Sequence, residues 1–381
     1  MVINNYAFLF LIGYGVFFSY FRDYGPIPLL IVFTLSLYSF LMNKLNEYNI
    51  YFFKKYLNFL IFSSIILFCS IFDLMPSSWT MEFDLMVAVR QYFFIFSLPI
   101  FTFVAYKFFK FNYFFITRNS LILLGGYFFL YFIITDGMNG LILSPFVNYS
   151  QIFMIIFFIN FEKINNQFLK YLILIIILIL SFFLFKEVSL QFLIFFIGVI
   201  LITINLNRYI IHKFVILTFT IIPFFSLLII NNSLIPFDSN SMVRLVMWKD
   251  ATQSLIDTFG LGVGFGTEWI KNEFYLIKSN WFLFDNYNTN DKFNVTTHNT
   301  FSDIFFRVGL IGLLLFLKFI MSLFNERIIK NSRLVSYLFL SILISLSTNP
   351  GFFSVNFFIG LSITFGFLLT IIEKDFKSIQ S

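Results

Sequence analysis

The chain has 381 residues, 59% of them hydrophobic and only 12% charged, with a mean hydropathy of +0.89. Soluble domains carry roughly 25% charged residues, so this chain cannot cover a globular surface with polar groups and its solvent must be lipid. A lone cysteine, Cys69, excludes an intramolecular disulfide, and the two histidines, His212 and His298, make a structural zinc site unexpected. Neither a metal nor another cofactor is expected, and no nucleic-acid partner.

Apolar runs fall at 4–21, 27–42, 57–72, 89–106, 120–135, 146–161, 168–185, 189–205, 211–230, 301–324, 334–348 and 352–372. A backbone in lipid must satisfy its own hydrogen bonds, so each run reads as a helix. The expected fold class is all-α: a polytopic integral membrane protein of about 12 transmembrane helices with one long extracytoplasmic loop. Residues 1–381 form a single transmembrane domain, and 231–300 are the long loop within it. The first run lacks a basic flank and a small-residue cleavage site, and is read as a retained helix. The 64 phenylalanines are read as an AT-rich coding bias, with Phe standing in for Leu on lipid faces.

Charge placement orients the chain. Alternate connections contain Lys44, Lys54 and Lys55, then Lys107, Lys110 and Arg118, then Lys163 and Lys170, then Arg208 and Lys213, then Arg327, Lys330 and Arg333. Lys374 and Lys377 follow the last run, while the opposite short connections hold only Arg22, Arg90 and Lys186. The positive-inside rule then places both termini in the cytoplasm and residues 231–300 outside. At about 70 residues that loop is longer than charge bias governs, and loops of such length are usually functional or disordered. Its Trp248, Trp269 and Trp281, few prolines and helix-like stretches argue for order.

Within the loop, Val243, Met247, Ala251 and Leu255 recur at helical spacing, predicting an amphipathic helix near the membrane surface. Arg244 and Trp248 lie one turn apart on another face. A guanidinium there can bind a phosphate bidentately, or simply meet lipid headgroups. Gly260, Gly262, Gly264 and Gly266 follow; alternating glycines can expose amides to an anion, or form a plain turn. His298, in Thr296-Thr-His-Asn-Thr300, is either an interfacial polar residue or a general base for a hydroxyl. Asp303 and Arg307, spaced i,i+4 inside the next run, can pair; ionisable groups in a span usually face the bundle interior. Arg90, at the outer start of the fourth run, is a similar case. His212, beside Lys213 at a cytoplasmic helix end, reads as structural. The turn-rich stretch 136–150 can cap a polar groove.

Arg244 with Trp248, Gly260-Leu-Gly-Val-Gly264, His298-Asn299 and Gly309-Leu-Ile-Gly312, in that order over residues 240–315, resemble the O-antigen polymerase/ligase family. Pro145 and Asn148 loosely echo an earlier Pro-Asn element of that family. The chain departs from the pattern where Thr258-Phe259 replace the proline that commonly precedes Gly-x-Gly. The resemblance implies a glycosyltransferase of the bacterial inner membrane, acting at its periplasmic face in surface-polysaccharide biosynthesis. A polyprenyl diphosphate carries the donor glycan, and a sugar hydroxyl of a second lipid-linked repeat unit attacks its anomeric carbon. Arg244 would bind the diphosphate and His298 would orient or deprotonate the acceptor. Arg90, Arg307, Trp248, Gly262, Gly264 and Asn299 would line the substrate site. Membrane lipid and a chain-length regulator are the other expected partners. Two other readings are a ligase delivering the glycan to lipid A core and a lipid-linked-oligosaccharide flippase. The last is disfavoured by the large loop and by the lack of a visible internal repeat.

Overall fold

The computed structural model describes residues 2–16, 27–75, 83, 85–126, 150–184, 189–204, 206–230, 239–266, 299–323, 332–348 and 355–380. Among them the chain is all-helical, without a strand. In order the helices are α1 (Val2–Val16), α2 (Ile27–Met42), α3 (Glu47–Ile71), α4 (Leu85–Arg118), α5 (Ser150–Lys163) and α6 (Gln167–Leu184). Then come α7 (Ser189–Thr203), α8 (Arg208–Ile230), α9 (Ser239–Asp257), α10 (Thr300–Leu323), α11 (Arg333–Thr348) and α12 (Val355–Gln380). Residues 120–126 are also helical; 127–135 of the same apolar run lie outside the described residues. Helices Glu47–Ile71, Leu85–Arg118 and Arg208–Ser226 are long and apolar enough to cross a bilayer; Thr300–Leu323 equals them in length and composition but is interrupted at Gly309. The protein is a helical membrane protein.

Several helices overrun the apolar runs that announce them. α4 continues through Lys107, Lys110 and Arg118, and α3 begins at Glu47, ahead of Lys54 and Lys55. Hydropathy marks only the lipid-matched part of a helix, whereas Lys, Glu and Tyr extend it into the polar boundary at little propensity cost. Asn46 starts α3 by accepting the Asn49 amide on its side chain.

α4 is the hub. It packs most extensively on α12 and also meets α1, α2 and α3, while α10 lies against α3 and α9. Apolar burial gives little drive between helices in lipid, so close packing has to hold them together. Gly366 of α12 provides it: a Cβ there would stand 2.5 Å from the Ala105 Cβ and 2.6 Å from the Tyr106 nitrogen. Phenylalanines fill the remaining interhelical space, as in the edge contacts of Phe109 with Phe367 (4.8 Å) and Phe52 with Phe319 (5.3 Å). Phe is therefore not confined to lipid faces as composition led one to expect: Phe59, Phe101, Phe158, Phe305 and Phe367 are fully buried.

The basic connections meet at one end of the bundle. Lys110 Nζ pairs with Glu373 Oε1 of α12 at 2.7 Å, and the Tyr106 hydroxyl donates to Glu373 Oε2. Asn46 donates to the Tyr106 hydroxyl, Lys107 to the Lys44 carbonyl at 3.3 Å, and Lys374 stands 3.5 Å above the Tyr113 ring. Lys163 reaches back to Ser120 Oγ at 2.7 Å, and Lys170 approaches Glu162 at 3.7 Å. Arg208 and Arg333 interact electrostatically with each other, and Arg208 also with Glu162. Arg327 and Lys330 lie outside the described residues.

Candidate functional site

The opposite end is organised by a broken helix. At Gly309 the backbone of α10 takes φ 78°, ψ −177°, which no helix contains. Phe301 and Phe316 bring their rings within 6.1 Å of each other across this break. Fifteen residues of unbroken helix would hold them about 22 Å apart, a gap two phenylalanine side chains cannot close. Residues 300–308 thus form a separate half-helix, and every one of them is buried.

A break inside a span leaves backbone groups without helical partners, and these must be satisfied by other protein. The glycine segment after α9 does so. Val263 N donates to the Phe306 carbonyl (2.8 Å), Gly264 N to the Arg307 carbonyl (3.0 Å), and Leu310 N to the Gly260 carbonyl (2.8 Å). Gly262 lies on the break itself: an added Cβ would be 2.7 Å from Gly309 N and 2.9 Å from the Arg307 oxygen.

The segment is held at both ends. α9 terminates in a Schellman motif, with Gly260 N on the Leu255 carbonyl and Phe259 N on the Ile256 carbonyl. The left-handed position, usually glycine, is Phe259 (φ 53°). Gly262 N then donates to Thr258 Oγ1 (3.1 Å), Phe265 N to Ser70 Oγ of α3 (2.9 Å) and Gly266 N to Gln91 Oε1 of α4 (3.0 Å). Gln91 precedes Lys107 by about 24 Å along α4, so this seam lies far from the basic end. Each amide from Thr258 to Gly266 thus has a protein acceptor. As folded, these glycines provide close approach and turn geometry and do not form a row of open donors.

The half-helix carries charge. Asp303 and Arg307 are each 1% exposed, one turn apart, and interact electrostatically. The guanidinium carbon also stands 5.5 Å from the Phe306 ring centre. Enclosing charges at bundle depth is costly and is otherwise rare in spans. Asn299 caps the half-helix: its Oδ1 accepts the Phe301 (2.9 Å) and Ser302 (3.2 Å) amides. His298, the preceding residue, lies outside the described residues.

The helix containing Arg244 and Trp248 is present as α9. It packs along α8 and α10, and Thr252 donates to the Pro223 carbonyl of α8 (3.2 Å). Met247, Ala251 and Leu255 are buried as the spacing predicts, and half-buried Trp248 packs on the core. Arg244 is in α9, with its side chain outside the described residues. Arg90 is exposed on α4, next to Gln91. The structure thus joins Gly262 and Gly264 to the Arg307 backbone in one seam, while Asn299 caps the other end of the half-helix and Arg90 lies on α4 before Gln91. Stretch 136–149 falls outside the described residues.

Ser70, Gln91 and Thr258 are missed by motif reading. Their only sequence signal is a polar residue at the margin of an apolar stretch. Compared with protein-family models, curated proteins and solved structures, the chain matches none.

Proposed function

We propose that this protein is a polyprenyl-diphosphate-glycan polymerase of a bacterial inner membrane, one that builds O-antigen or capsule. The supporting observation is the enclosed, charged half-helix 300–308, pinned by the glycine segment at the end of the bundle away from the basic connections. Under this reading about 12 helices span the bilayer, the basic end and both termini face the cytoplasm, and the seam faces the periplasm.

The donor is already activated, because diphosphate is its leaving group. The protein must neutralise charge developing on that group, align two lipid-bound chains and accept one proton. Arg244 grips the diphosphate bidentately, with Arg90 and Arg307 adding positive potential. His298 takes the proton of the attacking hydroxyl. Trp248 and the Gly262–Gly264 turn shape the wall beside the sugar.

Purified protein supplied with a lipid-linked repeat unit should produce a ladder of longer lipid-linked glycans. His298→Ala should lower its rate by about 10²- to 10⁴-fold, the usual contribution of an acid–base group. A product formed only when lipid A core is supplied would make the enzyme a ligase. The interrupted α10 favours a second reading, a flippase, since transporters also bind substrate at broken helices. Translocation of the repeat unit across proteoliposomes with no elongation would establish that reading and defeat ours.

A further inference from the structure

Gln91 is 1% exposed, and its role is only half explained by the loop it holds. Oε1 accepts the Gly266 amide at 3.0 Å, and because a peptide N–H only donates, this bond decides which way the side-chain amide faces. Nε2 is thereby turned away from Gly266, and it has no partner among the described residues. A buried primary amide with idle donors is an expensive way to hold one backbone N–H. Ser70 does the equivalent task for Phe265 with a hydroxyl and leaves nothing over, since its own proton goes to the Ile66 carbonyl at 2.7 Å. The idle donors also stand at a particular place. They lie where the end of the glycine segment is tied to α4, beside the broken helix that the segment pins.

We propose that Gln91 is a substrate-binding residue: its side-chain NH2 donates to a phosphate oxygen of the diphosphate. This rests on the polymerase reading and adds to it a neutral, orientation-locked donor. The Gly266 bond fixes the amide before substrate arrives, so binding the oxyanion requires no reorientation of that group.

Gln91→Glu separates the two roles, because a carboxylate still accepts from Gly266 but cannot donate and repels an oxyanion. Ser70→Ala is the comparator, removing a loop acceptor that has no spare donor. Full-length protein in detergent is titrated with undecaprenyl diphosphate and, in parallel, inorganic diphosphate, following the melting temperature, and each variant is also assayed for elongation. We expect wild-type protein to be stabilised saturably, Gln91→Glu to bind about 10- to 100-fold more weakly, and Ser70→Ala to stay close to wild type in affinity. A response to inorganic diphosphate as well would place recognition in the head group alone. Where Gln91→Glu fails to insert, Gln91→Met is used, and the inference then requires weaker binding than in Ser70→Ala at equal melting temperature. Equal weakening in the Gln91 and Ser70 variants, or wild-type affinity in Gln91→Glu, overturns the inference. If wild-type protein elongates its substrate while Gln91→Glu does so equally well, only the inference falls. If wild-type protein neither elongates nor binds the probe, the polymerase reading falls with it.

Discussion

Gly262 and Gly309 touch backbone to backbone: a Cβ on the first would sit 2.7 Å from the amide nitrogen of the second, and a Cβ on Gly309 2.4 Å from the Leu261 oxygen. The half-helix and the glycine segment are joined there with no space for any side chain.

Gly262→Ala and Gly309→Ala should each destabilise the protein by about 2–4 kcal/mol, through overpacking against backbone that cannot yield and a φ that disfavours Cβ. Gly260→Ala has the same unfavourable φ (80°), but its nearest neighbour is the Leu310 Cβ at 3.8 Å. It should cost only about 1–2 kcal/mol. Melting in detergent measures all three, and equal losses would refute the contact.

Gly366→Ala should separate α12 from α4, because the added methyl meets the Ala105 Cβ and the Tyr106 backbone. Gly198 provides the contrast: its neighbour is the Leu340 side-chain tip at 2.6 Å, which can rotate away. We expect about 2–3 kcal/mol lost at Gly366 and under about 1 kcal/mol at Gly198, measured in the same melting assay.

Glu373 anchors the end of α12 to Lys110, Tyr106 and Asn46. Its side chain is 6% exposed while that of Lys110 is 36% exposed, so solvent screens the pair on one side only. Glu373→Ala should cost about 1–2 kcal/mol, and a double-mutant cycle with Lys110→Ala should return a coupling of about 1 kcal/mol. Additive effects would mean that the ion pair contributes nothing of its own.

Arg244→Ala should abolish glycan ladders with insertion intact. Arg244→Lys should lose most activity as well, because an ammonium cannot reproduce the two-pronged guanidinium contact. Wild-type ladders from the lysine variant would reduce the requirement to simple positive charge.

Reporters fused after Asn166 and within residues 231–300 should report opposite sides of the membrane, the first cytoplasmic. Agreement between them would defeat the proposed orientation. The meeting of Lys44, Lys107, Lys163, Lys170, Arg208 and Arg333 around one end means that a single inversion would move all of them together.

Sequence by itself determined the solvent, the helical class, the positions of most helices and the sorting of basic connections. These follow from local sums: apolar residues over a window, and charge between windows. It also singled out Gly262, Gly264 and Arg307, which meet at the break, and Asn299, which caps the half-helix. Only the tertiary structure decided that α10 breaks at Gly309, that α9 packs along α8 and α10, and that the amides of the glycine segment bond to α3, α4 and α10. Ser70 and Gln91 lie far upstream in sequence, and nothing local to either residue tells it that Phe265 or Gly266 will arrive as its donor. A hydrogen bond across the chain exists only after packing has chosen neighbours, whereas a span needs no neighbour to prefer lipid.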